Sequence, residues 1–99
     1  MKVYTLDQFI AKKLKNDEFK YHYDRELIIN DIAKIVHELR IACNLTQAAF
    51  AKKVGTSQSS IARIETGVDS RMPSIDLLVR IVVAANAKLK ITIEQDSSA

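Results

Sequence analysis

The chain has only two glycines, Gly55 and Gly67, and they divide the stretch from Leu45 to Gly67, LTQAAFAKKVGTSQSSIARIETG, into two short segments of helical pattern. Thr46 can cap the first, because its hydroxyl accepts a bond from an amide that the helix leaves without a partner, and Phe50 and Val54 lie on one face. Gly55 ends that segment: the residue just past a helix often needs a left-handed backbone, which glycine adopts without a side-chain penalty. Thr56 or Ser57 can cap the second segment, which turns Ile61 and Ile64 inward and closes at Gly67.

The outward side of the second segment carries Gln58, Ser59 and Arg63, whose amide, hydroxyl and guanidinium groups suit hydrogen bonding to base edges in a major groove. Ordinary helical bundles also turn such residues toward water, and spacing alone does not separate the two cases. The wider pattern does. The TQ at the start of one helix and the S-Q-x-x-I before E-T-G in the next resemble the phage-repressor type of helix-turn-helix, the Cro and Xre class, over roughly Ile29 to Ala87. That resemblance implies base contacts by Gln58, Ser59 and Arg63, and phosphate contacts by Asn44, Gln47, Ser57 and Arg71, with Lys52 and Lys53 as weaker candidates. It also implies an ion pair between Arg40 and Glu65, tying the first helix to the recognition helix.

Composition is compatible with this and excludes other classes. A chain of 99 residues allows one domain with a modest core, and 47% hydrophobic content argues against wholesale disorder. The net charge of +3 favours an anionic partner without specifying one. A single cysteine, Cys43, forms no internal disulfide, and Cys43, His22 and His37 lack zinc-like spacing, so no metal or other cofactor is expected. There is no glycine-rich phosphate loop and no nucleophile beside a plausible base, so the chain is not expected to be an enzyme. No apolar run is long enough for a membrane span or a signal sequence, which predicts a cytoplasmic protein, associated with the nucleoid if it binds DNA.

Flanking the pair, Asn30 or Asp31 can cap a helix in which Ile32, Ile35, Val36, Leu39 and Cys43 recur at helical spacing. Downstream, Pro73 and Ser74 open another, with Ile75, Leu78, Val79, Val82 and Val83 as its apolar stripe. The loop from Val68 to Met72 would run along the DNA backbone by analogy with the family. Lys88 to Glu94 then alternates Leu89, Ile91 and Ile93 with polar residues, the period of a half-buried strand. A lone strand leaves its amides and carbonyls unpaired, so the same strand of a second copy is the economical partner, giving a homodimer on an inverted-repeat operator. The alternative is that this segment extends the last helix or pairs near Val3 to Thr5.

Five of the six aromatic residues, Tyr4, Phe9, Phe19, Tyr21 and Tyr23, precede this core. Leu6, Phe9, Ile10 and Leu14 mark one helix and Phe19, Tyr23 and Leu27 a second, with Asn16 and Asp17 as break and cap. These helices either fold back onto the core or present Tyr and Phe to a partner. The phrase LKNDEFKYHYDRELIINDIAKIVHELR ahead of a repressor motif and a terminal strand resembles antitoxins of the HigA type. That resemblance implies a RelE-like, HigB-like mRNA-cleaving toxin as partner, bound through Phe9, Phe19, Tyr21 and Tyr23. The expected fold is mainly α: a Cro or phage-repressor-like helix-turn-helix bundle with extra N-terminal helices and a short C-terminal β-strand pairing across a dimer. It divides into an N-terminal arm (1–28), the DNA-binding core (29–87), the dimer strand (88–94) and a disordered tail (95–99).

Overall fold

A computed structural model of the chain describes residues 5–67 and 72–95, and the side chains of all of these except residues 9, 10 and 12–16. Arg71, most of the loop from Val68 to Met72, the Phe9 side chain, Val3, Tyr4 and nearly all of the tail lie outside the described residues.

Four helices are formed: α1 (Leu6–Ala42), α2 (Gln47–Val54), α3 (Gln58–Thr66) and α4 (Ile75–Ala84). Each starts at a hydroxyl residue in extended conformation, Thr5, Thr46, Ser57 or Ser74, whose side chain accepts the amide three residues on. At Thr5 the arrangement is reciprocal, for the Thr5 amide donates to Gln8 Oε1 at 3.0 Å while the Gln8 amide donates to Thr5 Oγ1 at 3.2 Å. Gly55 (φ 86°) and Gly67 (φ 64°) end α2 and α3 in the left-handed conformation. Two asparagines do the same for α1 and α4. Asn44 and Asn86 both have φ 57°, and the amides of Leu45 and Ala87 reach back to Arg40 O and Val82 O at 3.4 and 2.9 Å.

Val36, Phe50, Ala51, Val54, Ile61 and Ile81 form the core, one or more from every helix, with Ile32, Leu39, Leu45, Ile64 and Leu77 packed around them. Burying each large side chain contributes roughly 1.5–3 kcal/mol. Phe50, Ile61 and Ile81 have no solvent exposure, so this cluster is what sets α2 and α3 against α1 and α4.

Three expectations are corrected. The predicted break at Asn16 and Asp17 is absent, and the two N-terminal helices and the first core helix are one continuous α1 of 37 residues. Nothing between Leu6 and Ala42 is Gly or Pro. Asn and Asp cost only about 0.7 kcal/mol in a helix interior, less than the ladder bonds a break would forfeit. On α1, Ile29 and Ala33 are buried, whereas Ile35, predicted to face the core, is 52% exposed. On α4, Ile81 and Val82 are buried and Leu77, Leu78 and Ala84 half-buried, while Ile75, Val79 and Val83 of the predicted stripe face solvent. Every position of this helix except Asp76 and Arg80 is apolar, so composition could not say which side would turn in.

The described aromatics of the arm, Phe19, Tyr21 and Tyr23, do not fold back onto the core. A continuous helix at about 1.5 Å per residue carries the arm along the long axis of the molecule, which extends 59 Å. Among the described residues no side chain before Ile29 is buried, and Phe19, Tyr21 and Tyr23 are 71, 62 and 57% exposed. Residues 87–95 carry neither helix nor strand in the single chain, and Asn86 ends α4, so the segment does not extend the last helix.

Candidate nucleic-acid interface

The spacing that buries Ile61 and half-buries Ile64 turns the opposite side of α3 to solvent, and Gln58, Ser59 and Arg63 are all exposed there. Each helical residue advances about 100°, so Ser59 and Arg63 stack one turn apart and Gln58, Ala62 and Thr66 form the adjoining row. Ala62 and Thr66 are not among the residues the sequence pattern singles out, although their four-residue spacing from Gln58 puts them on this row. Arg63 Nε donates to Ser59 O at 3.4 Å, and Thr66 Oγ1 donates to Arg63 O at 3.0 Å.

The phosphate candidates are placed less uniformly. Ser57 Oγ accepts the Ser60 amide at 3.1 Å and lies 3.0 Å from Ser60 Oγ, so its hydroxyl serves first as the cap of α3. Asn44 is exposed and supplies the left-handed residue that ends α1. Gln47, at the first position of α2, donates from Nε2 to Glu65 Oε2 at 3.1 Å, so its amide nitrogen is directed into the protein. Lys52 and Lys53 are exposed near the end of α2.

Glu65 anchors the recognition helix. Arg40 Nε donates to its two carboxylate oxygens at 3.0 and 3.1 Å, and Arg40 Nη1 donates to Leu45 O at 2.9 Å, joining α1, the α1–α2 turn and α3. The side chains are 12% and 4% exposed, a nearly buried pair whose remaining oxygen lone pairs also need partners. Gln47 supplies one. His37 Nδ1 supplies the other at 2.7 Å from Glu65 Oε1, a partner that zinc-like spacing does not look for but that its place one helical turn before Arg40 signals.

A second clamp holds α2 to α4: Arg80 Nη2 donates to Gly55 O at 2.6 Å. Gly67 approaches α1 closely, because a Cβ there would lie 3.2 Å from Asn30 Oδ1 and 3.5 Å from Ala33 Cβ. A cleft open to solvent is lined by Tyr21, Asp24, Arg25, Ile28 and Met72. Among the described residues no three metal-ligating side chains cluster, and no helix is long and apolar enough to cross a membrane.

A short helix anchored by buried charges, set across a glycine turn from its neighbour and presenting amide, hydroxyl and guanidinium groups outward, defines a helix-turn-helix DNA-binding module. The family model for the helix-turn-helix matches residues 36–91, more than half of the chain, and the protein belongs to that family, in its Xre and Cro type. No curated protein and no solved structure matches it.

Proposed function

We propose that this DNA-binding regulator is an antitoxin of the HigA type. As a dimer it would repress its own promoter through α3 while the N-terminal half of α1 masks a RelE-like mRNA-cleaving toxin. Family membership supports a sequence-specific DNA-binding regulator. The observation that carries the finer reading is the exposed aromatic face of α1. Phe19 and Tyr23 stack with centroids 6.2 Å apart, Leu27 follows one turn on, and all three are exposed on a helix that has left the core. Large aromatics in water are a poor use of apolar surface unless a partner covers them, and Tyr and Phe are favoured anchors at interfaces.

In this reading Gln58, Ser59 and Arg63 contact bases. Asn44, Ser57 and Arg71 contact phosphates, as does Gln47 where its carbonyl rather than its committed amide nitrogen is used. Phe9, Phe19, Tyr21 and Tyr23 form the toxin contact. Leu89, Ile91 and Ile93 contribute a strand to the dimer, and the operator is an inverted repeat.

The test is co-purification of the full chain with a RelE-like protein encoded beside it, comparing the natural sequence with Phe19→Glu/Tyr23→Glu. Both residues face solvent, so the double variant should stay folded and still shift promoter DNA while losing the toxin. Full neutralisation by the double variant would remove this face from the toxin contact. If no such toxin binds, the protein is a free-standing Xre-type regulator; if no DNA shift occurs even at low salt, DNA binding itself is lost from the scaffold.

A further inference from the structure

We infer that His37 is a DNA-backbone contact of this protein, made from Nε2 by the doubly protonated ring alone, so that binding of DNA takes up one proton. The inference rests on the DNA-binding reading and adds to it a contact that depends on pH.

The partners of Nδ1 fix where the ring carries its proton. Glu65, paired with Arg40, presents a carboxylate that only accepts, so the 2.7 Å contact between His37 Nδ1 and Glu65 Oε1 requires a proton on Nδ1. Arg40 Nη2 lies 3.4 Å from the same nitrogen, but a guanidinium has only donors and offers Nδ1–H no alternative. With Nδ1 committed, Nε2 is an acceptor on the neutral ring and becomes a donor only on the imidazolium. A phosphate oxygen accepts hydrogen bonds, so Nε2 can hold one only when the ring carries both protons.

The ring stands at the edge of the surface that reads DNA. Glu65 follows Arg63 by two residues on α3 and also accepts Gln47 Nε2 at 3.1 Å, so His37 and a phosphate candidate at the start of α2 meet on one carboxylate. The His37 side chain is 53% exposed, and among the described residues Nε2 has no partner. One turn earlier on α1, Lys34 is exposed too, adding a second group attractive to phosphate.

Charge explains why the proton arrives with the DNA. Around the ring stand Glu65 of α3, already neutralised by Arg40, and Arg40 and Lys34 of α1, while α2 contributes the uncharged Gln47. The two cations of α1 oppose a third positive charge, and a phosphate supplies the negative charge that offsets them. In the complex the imidazolium bridges two anions, Glu65 through Nδ1 and phosphate through Nε2, at the short distances of charge-assisted bonds.

The experiment measures the affinity of the full chain for a duplex spanning the promoter of its own gene, at constant low salt, from about pH 6 to pH 8 where histidine changes charge. Uptake of one proton should make the affinity of the natural chain fall by up to about tenfold per pH unit as the free ring loses its charge. His37→Gln carries a donor for Glu65 but has no proton to gain, and should lose that dependence. His22, the only other histidine, is present in both chains and cancels in the comparison. The same pH dependence in the two chains overturns the inference and leaves the DNA-binding reading standing, whereas a natural chain that binds no DNA at any pH overturns both. Should His37→Gln unfold, the ring nitrogens of the natural chain decide by nuclear magnetic resonance. At a pH where the free chain holds a proton on Nδ1 alone, the DNA complex should hold protons on both nitrogens, and an Nε2 that stays bare in the complex overturns the contact.

Discussion

Glu65 of the recognition helix receives Arg40 Nε on both of its carboxylate oxygens, at 3.0 and 3.1 Å, and so fixes α3 to the helix that also carries the N-terminal arm. The contact sits under the presented face: a turn of α3 that shows Arg63 outward holds Glu65 inward two residues later.

Removing one partner of this pair leaves the other nearly buried and uncompensated. Arg40→Ala should cost about 3–5 kcal/mol in urea denaturation, while Arg40→Met/Glu65→Leu should cost much less than the sum of the two single changes. His37→Ala removes a contact from the exposed side and should cost less than Arg40→Ala. Strict additivity in the double variant would show that the pair contributes nothing as a unit.

The two glycines should not be equivalent. Alanine at either must adopt a left-handed backbone, at about 1–2 kcal/mol. At Gly55 the added Cβ meets Arg80 Nη2 at an ordinary 3.5 Å, but at Gly67 it meets Asn30 Oδ1 at 3.2 Å and must push α3 from α1 or displace Asn30. Gly67→Ala should therefore melt lower than Gly55→Ala, and Asn30→Ala in the same chain should recover part of the difference.

Core and surface positions on the helices should separate cleanly. Phe50→Ala empties the centre of the cluster and should cost about 3–5 kcal/mol. Ile35→Ala, at a position that periodicity assigned to the core but that is 52% exposed, should fall within about 0.5 kcal/mol of the natural chain. A large loss at Ile35 would mean that another surface covers it.

On DNA, Arg63→Ala should lower affinity for the operator by about 1–3 kcal/mol relative to random sequence, if its guanidinium forks onto a base. Lys52→Ala should weaken binding alike on all sequences and reduce the salt slope by about one unit. Equal losses on operator and random DNA would place Arg63 on the backbone instead.

Much of the fold was readable from local chemistry. The caps Thr46, Ser57 and Ser74 and the stops Gly55 and Gly67 act over three or four residues, so the bounds of α2 and α3 follow from identity and order. The outward side of α3 was readable too, because Ile61 and Ile64 leave only one arc for Gln58, Ser59 and Arg63. Asn16 and Asp17 misled, since the residue types that cap helices are tolerated inside one when nothing else stops it. Gln47 was read for its position, but its amide nitrogen is directed by Glu65, a residue eighteen positions away.

The sequence by itself determined the units: where α2 and α3 begin and end, and which side chains α3 holds away from its apolar row. Those outcomes depend on hydrogen bonds and spacings spanning a single helical turn. Only the tertiary structure decided that the arm continues α1 into solvent, that Glu65 gathers Arg40, His37 and Gln47, and that α4 turns Leu77 and Ile81 inward while leaving Ile75, Val79 and Val83 outside. Those outcomes are competitions for the space around Phe50 among residues far apart in the chain. Packing settles them because apolar burial has no preferred direction of its own until the neighbouring helix is in place.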